Sequence, residues 1–183
     1  NFVSASSLII TIRKTADNSL DGTRECSLNG KGYVTNIVLK NASGTITGNT
    51  VYTYNADGYV VSNKWASALS STGYEFKYTI ADGNMVKAEN FYNGTFANNY
   101  QYSYEGNKIN KSNFSYSAGW AVQNLLGKNS KNLVTATKGF DPAGNLTYDS
   151  KTTYELDMDG YPVKETTDNL LTGKKSVNTY IFQ

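Results

Sequence analysis

One unit recurs along this chain: aromatic residues at alternate positions, then an acidic or amide side chain, a glycine and a short apolar run. The clearest copies are Tyr52-Thr53-Tyr54-Asn55-Ala56-Asp57-Gly58-Tyr59-Val60-Val61 and the stretch from Tyr74 through Asp82-Gly83 to Val86. Tyr100 to Ile109 forms a shortened copy, and Phe140 to Leu146 and Tyr154 to Val163 extend the series. Such a repeat restricts the fold to architectures made by laying one supersecondary unit beside the next. Residues two apart in a strand share a face, so Tyr100, Tyr102 and Tyr104 line one side while Gln101 and Ser103 line the other. Asp-Gly and related pairs supply the positive φ that a tight hairpin turn needs. Successive glycines Gly58, Gly83 and Gly106 stand about 23 to 26 residues apart, which leaves room for two strands and two turns per period.

The expected fold is therefore all-β: a single domain over residues 1–183, an antiparallel up-and-down meander of about 12 strands curled into an open or closed barrel-like sheet. The alternation continues through Tyr33, Thr35, Ile37 and Leu39, then Phe114 and Tyr116, and finally Tyr180 and Phe182. It breaks between Gly119 and Val134. There Trp120, Ala121, Val122, Leu125 and Leu126 follow helical spacing, and Gly127 is a natural stop. One short helix near 119–134 is expected to interrupt the meander and cover an edge or mouth of the sheet.

Composition narrows the function. Charged residues make up 17% of the chain, against roughly 25% in average domains, and Tyr, Gly, Asn, Ser and Thr take their place. The net charge of +2 comes from scattered lysines, so there is no basic stripe to follow a phosphate backbone and no nucleic-acid partner is expected. Cys26 is the single cysteine and cannot form a disulfide within the chain. It falls in an expected strand, Thr23 to Leu28, with no cation evident that would lower its pKa, and reads as a passive thiol. The longest apolar stretch, Leu8 to Ile12, is far short of the roughly 20 residues of a membrane-spanning helix. Because the chain opens on Asn1 rather than Met, a lost signal or lipoprotein peptide is expected. Few charges and many Tyr, Asn, Ser and Thr suit an exported bacterial surface protein better than a cytosolic enzyme.

The chain has no histidine, which removes the commonest general base, His-containing zinc sites and Ser-His or Cys-His nucleophile pairs. No Ser-x-x-Lys, Gly-x-Ser-x-Gly or P-loop segment occurs, and no cofactor is expected. Paired carboxylates could still hydrolyse a glycosidic bond, but strand alternation turns both Glu75 and Glu155 away from their aromatic neighbours. Asp157-Met158-Asp159-Gly160 begins like a calcium loop yet lacks the later donors, and reads as a hairpin turn. Trp65 and Trp120 are candidate stacking platforms for sugar rings, since an indole offers a broad apolar face and one N–H. Tyr52, Tyr54, Tyr100, Tyr102 and Tyr104 are the candidate binding tyrosines. Asn93-Gly94-Thr95 and Asn113-Phe114-Ser115 match the glycosylation sequon, which an Asn-, Ser- and Thr-rich chain produces by chance.

The segments YNADGYVV, FDPAGNLT and LDMDGYPV resemble YD (Rhs-type) repeats over that short core. Over a longer span, LLGKNSKNLVTA, FDPAGNLTYDSKTTYELDMDGYPVKET and the ending NTYIF resemble an uncharacterised family of Bacteroides-type exported lipoproteins with a porin-like fold. That resemblance implies an all-β, barrel-like sheet and an envelope location, and it brings no catalytic residues. The lipid-bearing cysteine of such proteins is missing near the start of this sequence. The leading functional expectation is a non-enzymatic envelope protein that binds a glycan, a lipid or another envelope protein, or serves a structural role. A carbohydrate-active hydrolase with carboxylates from distant strands is the alternative. A membrane-embedded barrel ranks below both, because the strands read shorter than the 9 to 11 residues such barrels need.

Overall fold

A computed structural model of the chain describes residues 2–4, 6–111 and 125–180. Within them lie thirteen strands: β1 (Phe2–Ser4), β2 (Ser7–Arg13), β3 (Leu20–Leu28), β4 (Val34–Asn41), β5 (Ile46–Tyr54), β6 (Val60–Ser67) and β7 (Gly73–Ala81), followed by β8 (Asn84–Tyr92), β9 (Thr95–Ile109), β10 (Asn132–Phe140), β11 (Leu146–Leu156), β12 (Pro162–Asn169) and β13 (Lys175–Thr179). They form one sheet whose spatial order is the sequence order, β1 to β13. The all-β antiparallel meander expected from the repeat is what the chain adopts. Among the described residues β1 and β13 do not pair with each other, so the sheet is open. Asn132 to Val134, which helical spacing assigned to the end of a helix, instead open β10. Residues 119–124, including Trp120, lie outside the described residues, as do Phe114, Tyr116 and Phe182.

The turns depart from the two-residue expectation in an instructive way. Asp82-Gly83 and Asn93-Gly94 are the pairs in which both residues have positive φ (50° and 78°, 48° and 80°), as a type I′ hairpin demands. At Asp57-Gly58 and Asp159-Gly160 only the glycine is left-handed. The residue that shapes these turns lies three positions before the glycine. Asn55 N–H donates to the Tyr59 carbonyl and Gly58 N–H to the Asn55 carbonyl, while Asn55 Oδ1 accepts the Tyr59 N–H at 3.0 Å. The same pattern holds at Asn29, Asn41, Asp141 and Asp157. Each is a three-residue loop closed by a left-handed glycine, and its extra residue appears as a bulge at the strand end. Register shifts fall where this geometry puts them, for example between Thr53 and Tyr54 and between Glu155 and Leu156.

The chain divides into two compact units. The first takes the residues up to Lys77, Phe91–Thr95 and 125–128. Its core is Cys26, Val34, Ile37, Tyr52, Val60 and Leu126, with Asn63 buried among them. Val34 is fully buried although strand alternation counted from Ile37 would turn it outward. The bulge between Ser27 and Leu28 shifts the phase of the β3–β4 pair at that point. Leu126 docks beside the β5–β6 turn, where Lys128 N–H donates to the Gly58 carbonyl at 2.9 Å.

The second unit takes Tyr78–Asn90, 96–111 and 129–180. Beyond Ala88 and Leu133 its buried residues are polar: Asn84, Asn132, Thr135, Ser150 and Thr152. Asn84, Asn132, Thr135 and Thr152 are hydrogen-bonded. Asn84 Nδ2 donates to Asn132 Oδ1 at 3.0 Å, and Asn132 N–H returns a bond to Asn84 Oδ1 at 2.9 Å. Thr135 Oγ1 donates to the Ser103 carbonyl at 3.3 Å, and the Thr152 and Thr167 hydroxyls lie 3.1 Å apart.

Candidate functional site

Register assigns the first unit's side chains to faces, because directly paired residues lie on the same side. One row runs Ile10, Arg24, Leu39, Gly48, Ser67, and the next runs Leu8, Cys26, Ile37, Thr50, Trp65, Tyr74. A third pairs Tyr52 with Asn63 and Phe76. The other face of the same strands carries the Glu25–Lys40 ion pair (2.5 Å), Lys64, Glu75 and Lys77. The first face is therefore apolar and aromatic with Arg24 as its charge, and the second is wet.

The aromatic residues of the apolar face form a ladder. The rings of Trp65 and Tyr74 are 5.6 Å apart and tilted by 35°, and those of Tyr74 and Tyr92 are 5.1 Å apart and tilted by 48°. Tyr74 is 44% exposed and Tyr92 46% exposed. Gly48 clears the space for the indole: a Cβ there would stand 3.0 Å from Trp65 Nε1 and 3.2 Å from the Ala66 carbonyl oxygen. Tyr74 and Tyr92 were not among the sequence candidates. The alternation that identified strands gives no reason to prefer them over the other tyrosines.

The sequence-predicted tyrosines have structural work. Tyr52 is buried, at 8% exposure. Burial raises its pKa, as it does those of Tyr54 and Tyr104. Tyr54 packs on Tyr33 at 5.4 Å and donates to the Val34 carbonyl at 2.6 Å. In the second unit Tyr104 donates to the Met85 carbonyl at 2.6 Å, and Tyr100 meets Tyr148 edge-on at 6.4 Å across Gly139. Tyr102 is half-buried between exposed Gln101 and Ser103. Only Trp65 of the described candidates belongs to the half-exposed ladder.

A cleft of about 340 Å³ opens between the β3–β4 and β5–β6 turns, lined by Lys31, Tyr33 and Tyr54. Its lysine is already committed, donating to the Ala56 carbonyl at 2.9 Å. Cys26 is buried, and burial pushes its thiol up while Arg24 opposes that shift. The sequence reading saw no cation near Cys26. Arg24 lies two residues away on the same face, and period-two spacing could have found it.

Ten of the fifteen carboxylates have structural partners. Glu25, Glu75, Glu89, Glu105, Glu155 and Asp168 pair with lysines, and Glu165 accepts from the Tyr180 hydroxyl at 2.9 Å. Asp17, Asp141 and Asp157 accept backbone N–H groups in turns, the last being the segment that begins like a calcium loop. Among the described residues no three acidic or thiol groups cluster as a metal site would need.

Two solved structures set this sheet beside known proteins. One is a porin-like protein from Bacteroides uniformis, 15% identical, with a TM-score of 0.63 over 93% of this chain and 73% of that one. The other is a porin-like protein from Bacteroides vulgatus, 14% identical, with a TM-score of 0.59 over 94% and 96% of the two chains. The chain has the fold of these porin-like proteins. At such identity the likeness concerns the fold alone. A Photorhabdus luminescens Tc toxin pore aligns with a TM-score of only 0.32, which carries no argument for the YD-type resemblance. No family model matches the chain, and no curated protein does.

Proposed function

We propose that this chain is a non-enzymatic protein of the bacterial cell envelope that binds a glycan on the Trp65–Tyr74–Tyr92 ladder. The observation that carries the reading is the ladder's exposure. Three aromatic rings stand in series on the apolar face, and two of them keep nearly half their surface in solvent. Large aromatic groups left open cost hydrophobic burial that the core could have used. The flat C–H faces of pyranose rings stack on such surfaces, while hydroxyls at the ring edges reach Trp Nε1–H and tyrosine hydroxyls. The envelope location draws support from the fold shared with Bacteroides porin-like proteins. The non-enzymatic reading draws support from the pairing of every Glu with a lysine or tyrosine and the use of Asp17, Asp141 and Asp157 in turns.

A glycan array followed by calorimetric titration of the full chain tests this. Binding should fall about ten-fold in Trp65→Ala, the loss of roughly 1.4 kcal/mol, which lies within reach of one aromatic contact with its buried area. Tyr148→Phe, outside the ladder, should bind as the parent does. An array with no signal above background, or a Trp65→Ala protein that binds as well as the parent, would overturn the reading.

A further inference from the structure

We infer that Arg24 is the anchor for an acidic group on the ligand of the apolar face, so that the glycan carried by the Trp65 ladder bears carboxylate or sulfate substituents. This inference rests on the glycan reading above and goes on to name the class of glycan.

Arg24 is a half-buried arginine in the middle of β3. Its Nε is sealed from solvent and has no hydrogen-bond partner, and among the described residues its side chain makes no ion pair. A guanidinium presents five N–H donors in a fixed fork. Buried donors are nearly always satisfied in folded proteins, and an exception asks for a missing partner such as an ion or ligand.

No Asp or Glu of the chain pairs with Arg24. All fifteen Asp and Glu residues fall within the described residues, and 112–124 contain none. Each Glu has its own lysine or tyrosine partner. Glu25, the neighbour in sequence, points to the opposite face and holds Lys40.

Position ties this cation to the ladder. Arg24 pairs with Leu39, and Leu39 with Gly48, the residue that makes room for the Trp65 indole. Two strand spacings separate Arg24 from Gly48, roughly 10 Å, about the span of a disaccharide. A pyranose stacked on Trp65 thus leaves the next ring of its chain over Leu39, with its acidic substituent at the guanidinium. The fork matches the two oxygens of a carboxylate or sulfate. The path between is lined by Leu39, Gly48, Thr50 and Ser67, a mixed surface suited to a sugar ring better than to an acyl chain.

The test is titration of the full chain with five probes: a hexagalacturonate, its carboxyl-reduced neutral counterpart, a sulfated oligosaccharide, inorganic sulfate and palmitate. We expect an acidic oligosaccharide to bind about ten-fold or more tightly than the neutral one, the scale of a charge-assisted hydrogen bond. Whether the carboxylated or the sulfated chain binds more tightly identifies the acidic group. Arg24→Gln should bring the acidic ligand down to the neutral level, with Arg24→Lys in between. Because Arg24 has no partner to lose, the melting temperature of Arg24→Gln should equal or exceed that of the parent. If acidic and neutral chains bind equally and Arg24→Gln changes nothing, this inference fails while the glycan reading stands. If no oligosaccharide binds, both fail. Binding of palmitate alone, or an adventitious ion only, overturns it, and so does an Arg24→Gln chain that no longer folds.

Discussion

The Tyr54 hydroxyl donates to the Val34 carbonyl oxygen at 2.6 Å, tying the end of β5 back to the start of β4. Tyr104 makes the same bond to Met85 at 2.6 Å and Tyr154 to Val134 at 2.9 Å. The three tyrosines stand fifty residues apart in the sequence. Each closes the open end of a hairpin. Tyr54→Phe and Tyr104→Phe should each destabilise the chain by about 1 kcal/mol, rising toward 3 where the carbonyl is left dry. Urea midpoints would show it, with the slope unchanged if only stability is affected.

These hydroxyls also set an alkaline limit. Burial raises the pKa of Tyr54, with neighbouring Tyr52 and Tyr33 adding to the shift. Burial likewise raises that of Tyr104, against a smaller opposing bond from Ser130. An unfolded tyrosine ionises near 10, so above that pH the unfolded chain has released protons that the native chain still holds. Stability is full below about pH 10 and falls as pH rises toward the native pKa values. Thermal unfolding followed from pH 8 to 11 should show a decline beginning near 10. Its slope should be shallower in the Tyr54→Phe, Tyr104→Phe double variant.

Turn chemistry separates residues that look alike in sequence. At Asp82 the φ of 50° is left-handed, and a residue without a short polar side chain there costs about 1–2 kcal/mol. Asp57 precedes a glycine in the same way but is not left-handed. Asp82→Val should therefore lower stability by about that amount, while Asp57→Val stays within about 0.5 kcal/mol. Asn55→Ala, which removes the acceptor for Tyr59 N–H, should cost about 1 kcal/mol. Equal losses at Asp57 and Asp82 in chemical denaturation would contradict the assigned turn types.

The contrast also marks what the sequence could disclose. Period-two alternation located the strands, because burial on one face imposes it at every pair, and the meander followed from hairpin spacing. Asp-Gly disclosed a turn but not its type, since the capping Asn55 or Asp157 acts from three residues upstream. The same limit applies to the site. Which tyrosines stay open depends on pairing register: Tyr52 is buried in the row of Asn63, whereas Tyr74, beside Trp65, is not. Arg24 was not among the sequence candidates, because alternation gives the face of a side chain but not whether any carboxylate reaches it.

The buried pair Asn84 and Asn132 joins β8 to β10 over a sequence separation of 48 residues. Two bonds link them, and one involves the backbone N–H of Asn132. Replacing Asn84 alone by Leu takes the Asn84 bonds from that N–H and from Asn132 Oδ1, a cost of about 1–3 kcal/mol. Asn132→Leu alone leaves the Asn84 amide N–H without its acceptor, but keeps the bond from the backbone N–H to Asn84 Oδ1. The single changes should therefore differ, with Asn84→Leu the more damaging. In the double variant the backbone N–H stays unsatisfied but the side-chain loss is counted once, so the two costs should fall short of additivity by about 0.5–3 kcal/mol. A double-mutant cycle by urea unfolding measures this, and strict additivity would mean that the two amides do not share their bonds in solution.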